Sequence, residues 1–307
     1  MRFQGRYRDY ILPDKLNSLS VSIFLDELKD TPGGVGANIA YSLALLGDEP
    51  ILVGSVGPEA TTYIDRLARS GVNTKYIHES NLPTASFNVI TDGDQNQIGG
   101  FYPGAMFDSD MLTFARWQHE DPLVVVAPHD PKAMKQQVQE CKEWSLRLFY
   151  DVGQQVSNLK GEDMRAGIET AEVLIVNEYE MTILSKKVGM SIGTIKSSVP
   201  VVVTTLGKDG SIIEGASISE PIRVGVAKPM LIADPTGAGD AFRSGFLHGY
   251  VRQWPLKTCA QLGATCAAFA IEQIGTQGHS FTFKKASKRY QDAFKEALTT
   301  KEEDARL

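Results

Sequence analysis

The run DPTGAGDAF, from Asp234 to Phe242, places a carboxylate and two glycines where a strand-like stretch gives way to a helical pattern. Gly237 and Gly239 let backbone N–H groups approach a ligand without Cβ interference, and a helix N-terminus adds partial positive charge. An anion is expected there. Asp240, in the first helical turn, can then accept a proton from a hydroxyl that attacks the bound group, which is the arrangement phosphoryl transfer needs. Taken alone, the run has a plainer reading: a tight turn, with Asp240 favouring the helix dipole. It lacks the third glycine of the dinucleotide-binding fingerprint, lies near residue 240 instead of in the first βαβ unit, and no GxxxxGK[ST] run exists in the chain.

The elements that must hold this turn are legible upstream. Ile51 to Val56, Leu123 to Ala127, Arg147 to Asp151, Val173 to Val176 and Pro200 to Leu206 are short apolar runs with the character of buried strands. Helical periodicity lies between them, over Gly36 to Leu46, Ala60 to Ser70, Pro131 to Trp144, Glu162 to Ala171 and Glu178 to Val188. Strand and helix alternating predict an α/β fold, a mainly parallel central sheet with helices on both faces. Ser20 to Leu28 and Ala85 to Phe101 alternate apolar and polar residues instead, and predict a small β-sheet lid drawn from about residues 18–30 and 84–103. Met230 to Ala233 reads as a strand leading into the glycine turn. Ser211 to Val226 is rich in turns, and Gly239 to Gln253, Leu256 to Gly275 and Lys284 to Leu298 are helical. The whole of 1–307 reads as one domain, without repeats.

Composition narrows the classes. The 31 Lys and Arg against 37 Asp and Glu give a net charge of -6, which argues against a non-specific hold on nucleic acid. Three scattered cysteines, Cys141, Cys259 and Cys266, predict reduced thiols and a cytoplasmic protein, and nothing resembles a signal peptide or a membrane span. The first ten residues, MRFQGRYRDY, contain no opening strand, where a doubly wound fold usually begins with one.

DPTGAGDAF, with the helix continuing as RSGFLHG, resembles the C-terminal signature of the PfkB or ribokinase-like carbohydrate kinases. The resemblance implies a ribokinase-like fold and an ATP-dependent kinase. It assigns Asp240 as the base, the amides of Gly237, Ala238 and Gly239 as the anion hole, and Asp234 and Thr236 as aids to a monovalent cation, K+ among them. GGVGAN, Gly33 to Asn38, is similar to the N-terminal signature, so Gly33 and Gly34 would bring backbone to the substrate and Asn38 would bond its hydroxyls. Asn177 to Glu180 matches the NxxE element, in which Asn177 and Glu180 organise the waters of Mg2+; an ordinary helix capping box would use the same two residues. VVVTTLGKDG resembles the turn beside the nucleotide, with Thr205, Gly207 and Gly210 on the ATP, and Gly263 to Gly275 resembles the helix that flanks the adenine.

FYPGAM at Phe101, the segment Phe3 to Lys15 and GTQGHSF at Gly275 look most like prokaryotic adenosine-kinase-like and nucleoside-kinase-like members. The implied acceptor is a nucleoside, adenosine first, stacked on lid aromatics from among Phe24, Phe87, Phe101 and Tyr102, any of which would serve equally as lid core. A ribose or fructose kinase and an inactive ligand-binding relative are the alternatives. The lid stretches carry no Arg or Lys for a phosphosugar, which ranks phosphofructokinase low. A homodimer through the lid is the expected assembly. Relatives carry a first strand with a Gly-Ser run and then an Asp before the FxGR segment, which leads to the expectation of a start placed too far downstream, or a fragment. Glu59, after Gly57 and Pro58, replaces a common Gly-x-Asp.

Overall fold

The structure, a computed structural model, describes residues 1–11, 17–94 and 96–298. Part of the Phe3 to Lys15 segment, and the last residues of the span assigned to the domain, lie outside the described residues. The chain runs α1 (Tyr7–Tyr10), α2 (Val35–Leu45), β1 (Ile51–Val56), α3 (Thr61–Arg69), β2 (Asn73–Glu79), β3 (Ser86–Thr91) and β4 (Gln97–Tyr102). It continues through β5 (Leu123–Val126), α4 (Pro131–Glu143), β6 (Arg147–Asp151), α5 (Gly161–Thr170), β7 (Val173–Asn177), α6 (Glu178–Val188), α7 (Ile192–Ser198) and β8 (Val201–Thr205). The remainder is β9 (Ser211–Glu214), β10 (Ile222–Val224), α8 (Ala238–Val251), α9 (Leu256–Ile271) and α10 (Phe283–Phe294).

The central sheet has the order β10-β9-β8-β7-β6-β5, parallel from β5 to β8 and antiparallel at β9 and β10. Its inner strands are apolar on both faces because helices cover both. On one face Phe149, Ile175 and Val203 pack with Phe246 and Leu262. On the other, Leu148, Leu174 and Val202 pack with Met164, Ile168 and Leu184. Side chains alternate across the pleat, so consecutive residues such as Leu148 and Phe149 serve opposite cores.

Local signals start and stop the helices. Asp130 caps α4, accepting from the N–H groups of Lys132 and Ala133, with Pro131 at the first position. Gly189, in the left-handed region at φ 66°, ends α6.

β1 and β2 form a separate parallel pair, and β3 and β4 a separate antiparallel pair. Among the described residues, β1 is bonded only to β2 and β5 only to β6. All six residues of β1 and Leu123, Val124 and Val125 of β5 line one cavity of about 2560 Å³. Among the described residues, an open slot between two strand edges therefore separates β1 from β5. Arg2 makes isolated bridges with Glu27 and Thr91.

Two expectations need correction. Ser20 to Leu28 forms no strand beyond that bridge, because alternation makes a strand only where a neighbouring edge accepts it. The small sheet is thus the β3–β4 hairpin alone. Met230 to Ala233 is not a strand either: Ala233 and Asp234 both donate to the Ile271 carbonyl at the end of α9, and Met230, Leu231 and Ile232 are exposed. β2 and α7 were not foreseen. β2, NTKYIHE, mixes polar and charged residues as an edge strand does, and α7 is short and capped by Ser191.

Candidate active site

The two glycine motifs, far apart in sequence, meet at one end of the cavity. Gly33, Gly34, Asn38, Thr236, Gly237 and Asp240 all line it. Gly34 enters α2 with φ 97° and Gly237 enters α8 with φ 82°, both conformations that favour glycine. A Cβ on Gly237 would also stand 2.9 Å from Thr276 Cα, so backbone packs against backbone here. α8 begins without a side-chain cap, which leaves the first-turn N–H groups of Gly239 and Asp240 free of intrahelical partners. Ala238 differs, since its N–H turns back to the Pro235 carbonyl at 3.3 Å.

Asp240 is fixed from the side. Its Oδ2 accepts from Asn38 Nδ2 at 2.7 Å. The orientation of that amide follows from Gln277, whose Nε2 donates to Asn38 Oδ1 at 2.9 Å; Thr276 Oγ1 lies at the same distance, between that oxygen and the Pro32 carbonyl. Only the NH2 is left to face Asp240. Gln277 Nε2 reaches Tyr63 Oη as well, and Tyr63 Oη donates to the Gly33 carbonyl at 2.7 Å. The loop that carries Thr276 and Gln277 is tied to α2 again by Tyr41 Oη on the His279 carbonyl and by Ser42 Oγ beside His279 Nε2. Burial lowers the His279 pKa to about 4, so its ring is neutral.

Burial also pushes the Asp240 carboxyl up, to about 6, against the pull of Arg243 and the Asn38 hydrogen bond; Asp151 and Glu180 push in the same direction as burial. A carboxylate that titrates near neutrality is a competent proton acceptor. Glu180 is raised too, first by burial and then by Asp151. Arg243 is buried and pairs with Asp151, its Nη2 donating to Oδ1 at 2.8 Å and its Nε lying 2.5 Å from Oδ2.

Asn177 and Glu180 form the capping box in full: Asn177 Oδ1 accepts from the Glu180 N–H, and Glu180 Oε2 from the Asn177 N–H, each at 2.8 Å. The second Glu180 oxygen stays outside the box. Asp234 has both oxygens on backbone, Oδ1 accepting from Thr236 and Oδ2 from Gly275. Burial works against its charge, yet these contacts outweigh it and hold the carboxyl below its usual range. Asn177 faces Thr205 in register across β7 and β8, and Gly207 follows with φ 58° and open space about its α-carbon. Gly210 has a packing reason to be glycine, since a Cβ would stand 2.0 Å from the Val224 carbonyl oxygen. Phe101 lines the cavity and is 55 % exposed, and Phe87 lines it too. Phe24 is 86 % exposed and does not, a correction that follows from the missing strand. Sequence reasoning also missed Asp151, Arg243, Thr276 and Gln277. Arg243, a charge inside the apolar face of α8, was the available signal.

The sequence matches the description "pfkB family carbohydrate kinase" over residues 10–282. It is 31% identical over 290 residues to a nucleoside kinase of Methanothermobacter thermautotrophicus, covering 92% of each chain. Among solved structures it resembles Burkholderia thailandensis nucleoside kinase in complex with ADP-inosine, with TM-score 0.83, 31% identity, and 97% of this chain and 93% of that one covered. A ribokinase of Thermotoga maritima, at 19% identity and TM-score 0.76 over 88% of this chain and 91% of that one, shares the fold.

Proposed function

The chain belongs to the pfkB family of carbohydrate kinases, with a ribokinase-like fold, and from that premise we propose that it phosphorylates a hydroxyl of a nucleoside at the expense of ATP, adenosine being the first acceptor to try. The observation that carries this reading is the Asp240 carboxylate, oriented by Asn38, at the point where the Gly33–Gly34 and Gly237–Gly239 turns share one cavity. The acceptor hydroxyl gives its proton to Asp240 as its oxygen attacks the γ-phosphorus, and ADP leaves. Free first-turn N–H groups of α8, and the dipole behind them, receive the charge that develops on the phosphoryl oxygens. The Phe87 and Phe101 rings on the hairpin offer faces for a base to stack on. Nucleotide contacts fall to Asn177, Thr205 and Gly207 at the C-terminal ends of β7 and β8. The opposite face of the hairpin, with the exposed Ile98 and Tyr102, is the surface through which a homodimer would form.

Magnesium, when bound, draws charge off the phosphate oxygens, and the Glu180 oxygen outside the capping box fits as its contact through water. Asp234 and Thr236 fit a monovalent cation, because each Asp234 oxygen accepts one backbone N–H and keeps a second lone pair for the ion. No described helix is long and apolar enough to cross a membrane.

Incubating the protein with ATP, Mg2+ and a panel of nucleosides and sugars, and weighing the products, tests the reading. A nucleoside monophosphate is expected from adenosine or inosine. Phosphorylation of free ribose or fructose alone would move the assignment to the sugar kinases, and binding of a nucleoside without product would make the protein a ligand-binding relative.

A further inference from the structure

Arg243 is the one buried arginine or lysine among the described residues, and the proposed reaction leaves it without a task. It sits one helical turn after Asp240, on α8. Asp151, at the end of β6, faces this guanidinium as a fork in which one arm, Nη2 donating to Oδ1 at 2.8 Å, is a hydrogen bond and the other, Nε beside Oδ2 at 2.5 Å, is an ion-pair contact. The remaining nitrogen, Nη1, points at the first turn of α8, where a Cβ on Gly239 would come within 2.8 Å of it. The fork therefore does more than neutralise a buried carboxylate. It aims the unused edge of a rigid cation at the backbone beside the candidate base.

We propose that Arg243, clamped by Asp151, is a positioning residue for phosphoryl transfer, one whose fixed charge keeps Asp240 in the carboxylate form that accepts the proton. The proposal rests on the reading of Asp240 as the base. Three charged groups act on Asp240 from the elements packed around it: Arg243 on α8 favours its ionised form, while Asp151 on β6 and Glu180 on α6 oppose it. α2 contributes the neutral Asn38 amide. Of the three, Arg243 exerts the largest influence. Without it, Asp240 would face the negative charges of Asp151 and Glu180 with no opposing cation. Arginine suits the task because it stays protonated when buried, where lysine would readily lose its charge.

The two halves of the fork act on Asp240 with opposite sign, and that separates this role from a merely structural one. The measurement is the pH dependence of kcat/KM for the nucleoside and ATP pair, with thermal unfolding alongside. In Arg243→Gln the acidic limb is expected to move to higher pH, by half a unit or more on the order expected for a lost neighbouring charge. In Asp151→Asn it is expected to move to lower pH. Arg243→Lys, retaining charge without the fork, should hold the limb within a few tenths of its wild-type position at pH values where it stays protonated. A structural role lowers the melting temperature in both single variants and leaves the limb where it was. Because Arg243→Gln strands a buried carboxylate, Asp151→Asn/Arg243→Gln is the companion variant. It removes both charges and should still shift the limb upward, since the arginine is the stronger influence. Limbs that stay put in every folded variant, or that move together in the two single ones, overturn the proposal. Asp240→Asn separates this failure from the broader one: if it keeps near wild-type turnover, the base itself is misassigned.

Discussion

Asp240→Asn should make the protein more stable while it removes turnover, and the gain should depend on pH. Burial lifts the Asp240 pKa from an ordinary 3.8 to about 6 in the folded protein. A carboxyl whose folded pKa exceeds its unfolded value binds more protons when folded, so its contribution to stability falls as pH rises through that window. The loss is complete above the folded pKa. The difference corresponds to about 3 kcal/mol at pH 7.5. The open cleft leaves the group partly wetted, so about 1 to 3 kcal/mol is the working range. An Asn at this position carries no charge, and its oxygen still accepts from Asn38 Nδ2. Thermal unfolding of both proteins at pH 7.5 and pH 4.5 reads the effect. The variant should melt several degrees higher at pH 7.5, on the scale of about 2 to 4 °C per kcal/mol, and the gap should shrink to about a third by pH 4.5. Equal melting temperatures at pH 7.5, or a gap that ignores pH, would refute the reasoning that desolvation tunes this group.

Gly237→Ala should lose about tenfold or more in kcat/KM and about 1 to 3 kcal/mol of stability, because φ is 82° and the new methyl meets Thr276; unchanged denaturation midpoints and rates would say the turn relaxes freely. Glu180→Gln keeps a side-chain acceptor for the Asn177 N–H, so its melting temperature should stay within about 2 °C of wild type while the Mg2+ concentration for half-maximal rate rises; a fall in stability with an unchanged Mg2+ requirement would reduce Glu180 to a cap. Amide hydrogen exchange should be faster in β1 than in β7, since β1 is bonded on one side and β7 on both; equal protection would mean that the slot is closed in solution.

The parallel sheet was legible because β5, β7 and β8 are short runs rich in Val, Ile or Leu, and β6, RLFYD, is apolar through its middle with both faces buried, a pattern that leaves little choice of structure. The glycine turn at Gly237 was legible because few chemistries call for GAGD at a helix start. Ser20 to Leu28 misled for a physical reason: a strand is a property of two segments, and alternation in one says nothing of whether an edge stands beside it. The Asn38–Asp240 contact joins residues 202 positions apart and depends on Gln277 turning an amide the right way round. No spacing announces that. Arg243 and Asp151 hid likewise, since an arginine among apolar helix residues finds its meaning only once the end of β6 is placed against it.

The slot between β1 and β5 also bears on how the molecule keeps company. ILVGSV and LVVV carry no lysine, no proline and no charge of either sign, the devices with which natural proteins keep strangers from zipping onto a bare strand. An extended apolar segment with free backbone groups of its own is the element whose hydrogen-bonding pattern matches such an edge.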